Sequence, residues 1–347
     1  MRRSIRRGWA VLAATCALAT AAHAEPRTTL AGGATGKIEL RTYTPASQRP
    51  FLTRAYLSGP PAVVSGTLSL PKAGGPLERD GKSPAVILVH GTGGVSDERE
   101  FAWAKRFSSW GIAAFVVDSY TGRGLKPPVY ADAPGFTHVV AHLLDAYLAL
   151  QLLGTHPRVD GARVAIMGGS RGGEVAVNAI FERFRESALG NAPNRFAGYI
   201  PFYPYCNFRH MGKALAMAPM LMLLGGADEM TEPAPCEHFA AELKERGVPV
   251  RVVVYPNAPH GFDREAPVRL DRNVVGIRQC EAVYDLDTLV IRRLDTGATL
   301  PTREANEAWV RECRKQGARF GGDTKAREAS IGEVRAFLAD VFGAEAR

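Results

Sequence analysis

From position 85 onward the chain alternates between two patterns. Short unbroken apolar runs recur: "AVILVH" (85–90), "GIAAFVVD" (111–118), "RVAIMG" (163–168), "AGYIPFYP" (197–204), "APMLMLLG" (218–225) and "VRVVVYP" (250–256). Runs of that length without polar alternation are the signature of strands buried on both faces. Helical periodicity fills the intervals, over 98–110, 137–154, 171–185 and 233–246, with a last helix near 325–342. Strands alternating with helices predict βαβ units, and so an α/β fold: a doubly wound, mostly parallel sheet. Upstream, "KIELRTY" (37–43) and "VSGTLSLP" (64–71) alternate in the two-residue period of half-exposed strands, which predicts an antiparallel N-terminal pair. Residues 264–323 break the rhythm and read as an excursion before the C-terminal helix.

Residues 1–24 belong to a different pattern. Four arginines, an apolar stretch too short to span a bilayer and a small-residue ending at Ala22-His23-Ala24 predict a secretory signal peptide. The expected product is residues 25–347, one domain, periplasmic or secreted, with no stable membrane insertion. The leader holds four of the 43 basic residues, leaving 39 against 35 acidic ones. That near balance, without a basic stripe or interleaved aromatics, argues against nucleic acid as a partner. Cys206, Cys236, Cys280 and Cys313 remain after the leader. In an oxidising compartment they suit two disulfides, and of three possible pairings the closest in the chain, Cys206–Cys236 and Cys280–Cys313, are expected.

The chemistry gathers at strand ends. Gly168-Gly169-Ser170-Arg171-Gly172 is G-x-S-x-G between a strand and a helix, where a strained turn exposes the serine hydroxyl. Asp228 follows the strand "LMLLGG", and His260 follows "VVVYP". Nucleophile, acid and histidine therefore occur in the order Ser170, Asp228, His260, each just past a strand. Glu229 and Glu232 compete for the acid role, but Asp228 stands nearest its strand end. "HGTGGV" after the first parallel strand offers a second oxyanion donor. The backbone N–H of Thr92 is expected to pair with that of Arg171. Neither a GxGxxG nor a P-loop lysine accompanies this loop. His90 is expected to shape the turn. His138 and His142, four apart with no third ligand nearby, are expected to decorate a helix face rather than bind metal. The loop 118–136 should overhang the site. There Arg123 is a candidate for a substrate carboxylate, with a structural acid as its alternative partner. Tyr203, Tyr205 and Phe262 are candidates for an apolar pocket or for ordinary core packing.

Taken together, "SGTLSLP", "VILVHGTGG", "GIAAFVVDSYTGRG", "GGSRGG", "GGADEMTEP" and "PNAPHGFD" resemble the dienelactone hydrolase family of α/β hydrolases. The resemblance spans most of the mature chain. It implies the α/β-hydrolase fold, a Ser-His-Asp set and hydrolysis of small esters or lactones with no metal or cofactor. The founding enzymes carry a cysteine nucleophile where this chain has Ser170, which points toward a serine esterase. An acyltransferase on the same residues and a non-catalytic binding protein of the same fold are the alternatives.

Overall fold

Six of the apolar runs become neighbouring parallel strands in the computed structural model, which describes residues 25–129 and 138–343. The expected leader lies outside the described residues, as do 130–137 of the loop after Asp118. The strands are β1 (Gly36–Thr42), β2 (Ala62–Ser69), β3 (Ser83–Val89), β4 (Ala113–Asp118), β5 (Val159–Gly169), β6 (Gly198–Phe202), β7 (Phe208–Met211), β8 (Met220–Gly225) and β9 (Val250–Tyr255). An eight-stranded sheet runs β1-β2-β4-β3-β5-β6-β8-β9. From β4 to β9 every pairing in it is parallel, while β1–β2 and β2–β4 are antiparallel. This is the expected doubly wound sheet with antiparallel N-terminal strands.

The helices are α1 (Gln48–Leu52), α2 (Ala102–Ser109), α3 (Val139–Leu153), α4 (Arg171–Asn178), α5 (Glu182–Leu189), α6 (Pro233–Glu245), α7 (Arg303–Glu312) and α8 (Thr324–Phe342). The two sheet faces form separate apolar layers because strand side chains alternate. Ile87, Val89, Phe115, Ile166 and Met222 pack with α3 and α6 on one face. Val86, Leu88, Val116, Met167 and Leu223 pack with Trp103, Phe107 and Phe337 of α2 and α8 on the other.

One predicted helix is corrected. The pattern over 171–185 divides into α4 and α5, because the chain at Ile180–Glu182 pairs instead with 214–216. Ala216 donates to Ile180, Glu182 donates to Ala214, and Phe181 turns extended and buried. A tertiary bridge overrides local periodicity there.

The excursion has structure of its own: β10 (Arg269–Ile277), β11 (Ala282–Asp285), β12 (Ile291–Arg293), α7 and β13 (Arg314–Phe320). Strands β10 and β13 pair with each other, while β12-β11-β7 form a three-stranded sheet that joins the insert to the body. Both expected disulfides are present. Cys206–Cys236 ties the segment before β7 to α6, and Cys280–Cys313 ties the start of β11 to the end of α7.

Candidate active site

Ser170 occupies the apex between β5 and α4 at φ 55°, ψ −121°. A non-glycine residue avoids that region unless its surroundings enforce it. Here they do, since the N–H of Ser170 donates to Phe202 O (3.0 Å) and its carbonyl accepts from Glu174 (2.9 Å). The flanking glycines answer to space. A Cβ on Gly172 would overlap Val89 O, and one on Gly168 would overlap Gly172 O. The Ser170 side chain makes no capping bond to α4 and reaches a cavity of about 690 Å³.

Parallel strands bring the other candidates to the same edge of the sheet, because β5, β8 and β9 all end there. His260 Nδ1 lies 2.7 Å from Asp228 Oδ2, both residues being buried. Asp228 Oδ1 accepts the N–H groups of Met230 and Thr231, each at 2.8 Å, so the acid turn holds its own carboxylate. Thr231 was not legible as a site residue. Its hydroxyl donates to Asp228 Oδ2 (2.9 Å) and lies 3.2 Å from His260 Nδ1.

Beneath this pair sits a buried network that sequence reasoning also missed. The Tyr203 ring stands edge-on to the His260 imidazole, centroids 4.7 Å apart. Its hydroxyl donates to Asp263 Oδ1 (2.5 Å) and accepts from Arg99 Nε (3.1 Å). Arg99 Nε is also 2.9 Å from Asp263 Oδ2, which Trp103 Nε1 approaches at 3.2 Å. Burial by itself would raise the Asp263 carboxyl. The Arg99 charge and the bonds from Tyr203 and Trp103 outweigh it and hold the group below its ordinary range. Tyr203 is therefore a support under the histidine, and Phe262, fully buried against Phe202, Tyr203 and Tyr255, is core. Both were candidates for the pocket wall, and the inward turn of this loop decides against that. The signal for the network, an acid three residues past His260 in "HGFD", carries no meaning without Arg99 beside it.

The loop after β3 makes a tight turn, Gly94 donating to Gly91 O (3.2 Å), and Thr92 and Arg171 line the same cavity as Ser170. His90 shapes this turn. Nδ1 donates to Gly91 O (2.7 Å) and Nε2 accepts from the N–H of Ser119 (3.1 Å), which sets the neutral tautomer; burial keeps the ring's pKa down. His138 and His142 are not surface decoration. His138 caps α3 by accepting from Val140, and His142 is wholly buried beside His90 and Tyr120. Burial holds His138 at about 4 and His142 well below the usual imidazole range. Among the described residues no group of three or more His, Cys, Asp or Glu side chains could hold a metal ion.

Arg123 is corrected as well. Its guanidinium grips Asp145 with two bonds, at 2.7 and 2.9 Å, and its other N–H groups go to Thr44 Oγ1, Ser119 O and Tyr43 O. All five donors are used, so a substrate carboxylate finds none. Tyr205 does line the cavity. Much of the remaining wall comes from the insert, through β10, β11, β12 and α7. No pattern in 264–323 announced that role.

Several known proteins resemble this chain. An acylamino-acid-releasing enzyme 1 of Oryza sativa subsp. japonica is 26% identical over 217 residues, a match covering 52% of this chain and 28% of that enzyme. An uncharacterized protein of Mycobacterium tuberculosis is 27% identical over 197 residues, 53% of this chain and 66% of that protein. The chain thus spans less than two thirds of either relative's length. Apo Thermogutta terrifontis esterase 2 superposes with a TM-score of 0.46 at 18% identity, over 58% of this chain and 81% of the esterase. The pattern that defines the dienelactone hydrolase family matches residues 73–275, more than half of the chain and every candidate catalytic residue. By that match and by its sheet, this α/β-hydrolase-fold chain belongs to the dienelactone hydrolase family.

Proposed function

We propose that the protein is a serine hydrolase that cleaves carboxylic esters or lactones through an acyl-enzyme on Ser170, His260 and Asp228. The observation that carries this reading is the strained Ser170 backbone, opening on a cavity at the sheet edge where the His260–Asp228 pair also ends. Strain of this kind persists where it serves a function. With Nδ1 committed to Asp228, Nε2 is the basic nitrogen of His260.

In the proposed cycle Nε2 takes the Ser170 proton as Oγ attacks the carbonyl. Asp228 keeps the tautomer and stabilises the imidazolium. The N–H groups of Thr92 and Arg171 meet the oxyanion, each worth roughly 3 kcal/mol. The imidazolium then passes its proton to the leaving alcohol. Water, deprotonated by the same nitrogen, releases the acid and restores the serine. The protein is also proposed to act outside the cytoplasm, a reading supported by the leader-like residues 1–24 and by two disulfides. No helix among the described residues is long and apolar enough to cross a membrane.

Ser170→Ala should lower kcat on p-nitrophenyl acetate roughly 10⁴-fold or more, with an unchanged circular dichroism melt. Wild-type protein should react covalently at Ser170 with a fluorophosphonate. Retained turnover in the alanine variant, or labelling elsewhere, rules the assignment out.

A further inference from the structure

We infer that the 264–323 insert is the specificity wall of the site. It selects esters bearing a bulky apolar group, and the Cys280–Cys313 disulfide keeps that wall in place. This rests on the hydrolase reading above and extends it to a substrate class.

The cavity at Ser170 holds about 690 Å³, the size of pocket that takes a drug-sized ligand rather than an acetyl group. Its apolar side is built largely by the insert: Val274, Val275 and Ile277 from β10, Tyr284 from β11, Ile291 from β12 and Val310 from α7. Tyr205 and Phe208 of the body face the same space. A methylene moved from water onto such a surface is worth roughly fourfold in affinity.

The wall has two halves that are held differently. Strands β10 and β13 are clamped to the catalytic loops themselves. Arg319 N–H donates to Glu229 Oε2 (2.8 Å), and Gly321 N–H donates to His260 O (2.9 Å). Gly276 lies so close to Glu229 O that a Cβ there would overlap it. Strand β11 is likewise paired in parallel with β7, and Arg209 joins it by bonding both Glu281 and Glu242 of α6. Helix α7 has no comparable anchor. Its buried contact is Trp309, in a small cluster with Cys280 and Ala282, and its outward positions are mostly exposed. The disulfide joins this helix to β11 across 33 residues. Cutting that link frees α7, and Val310 with it, while the loops carrying Asp228 and His260 keep their own ties.

The test compares full-length wild type with a Cys280→Ser/Cys313→Ser double variant on p-nitrophenyl acetate, p-nitrophenyl octanoate and octyl acetate. Wild type should favour at least one eight-carbon ester over p-nitrophenyl acetate by about tenfold or more in kcat/KM, through a lower KM. In the double variant that ratio should fall toward one, because KM for the long ester rises. If wild type cleaves all three esters equally well, or the variant keeps the preference, the inference is wrong and the hydrolase reading stands. If wild type cleaves none and resists fluorophosphonate, both fall together. Should the double variant fail to fold, Val310→Trp decides. Filling the wall from α7 should lower the long-to-short ratio about tenfold, and an unchanged ratio overturns the inference.

Discussion

All seven residues of β3 are buried, whereas β10 of the insert leaves five of its nine exposed. The first strand is held by apolar burial on two faces, the second by polar ties and a neighbouring disulfide. The body's two apolar layers extend over most of its strands and helices, and the insert's own cluster centres on Cys280, Ala282 and Trp309. Hydrophobic stabilisation scales with buried area, so a segment with so little of it depends on attachment to something larger. The difference separates two jobs. Rigid sheet edges carry the candidate catalytic groups, and a lightly anchored appendage shapes what reaches them.

The comparison breaks most readily at Trp309. Trp309→Ala should raise amide exchange across 300–313 by about 100-fold or more, while β3 and β5 amides keep their protection; hydrogen exchange with mass spectrometry reads both regions at once. Equal loss of protection in body and insert would mean that the two are one cooperative unit. A smaller effect sharpens the body's side. Thr231→Val removes a hydroxyl bond to Asp228 and should lower kcat about tenfold with KM unchanged. Thr231→Ser should recover it; a purely structural role would instead move the melting temperature and leave serine without advantage.

The smallest effect concerns Glu174, one turn past the nucleophile and on the cavity wall. Burial raises its carboxyl to about 7, against the pull of Arg171. Between the unfolded value, near 4.5, and about 7 the folded chain binds a proton that the unfolded chain does not. Stability contributed by this group therefore falls as pH rises through that window. Glu174→Gln should flatten the slope of urea midpoint against pH there. An unchanged slope would show that Glu174 ionises as freely in the fold as outside it.

Short-range patterns were enough to read the six parallel strands, the elbow at Ser170 and the order Ser170, Asp228, His260. Each depends on side chains within a few residues of one another: an unbroken apolar run, or glycines where a turn leaves no room for a Cβ. The cysteine pairing was legible for a similar reason, since partners near in the chain need little loop closure. Arg123, Phe262 and His142 were misjudged because their partners, Asp145, Phe202 and His90, come from other elements and meet only when the sheet assembles. Helix α4 likewise ends where 214–216 arrives to pair with it. The insert's share of the cavity wall belongs to the same class. Its composition is unremarkable, and only its docking over the strand ends, through β7, Glu229 and the backbone of His260, places those apolar side chains opposite Ser170. Local sterics and burial periodicity are written along the chain, while which surface covers which is a property of packing at long range.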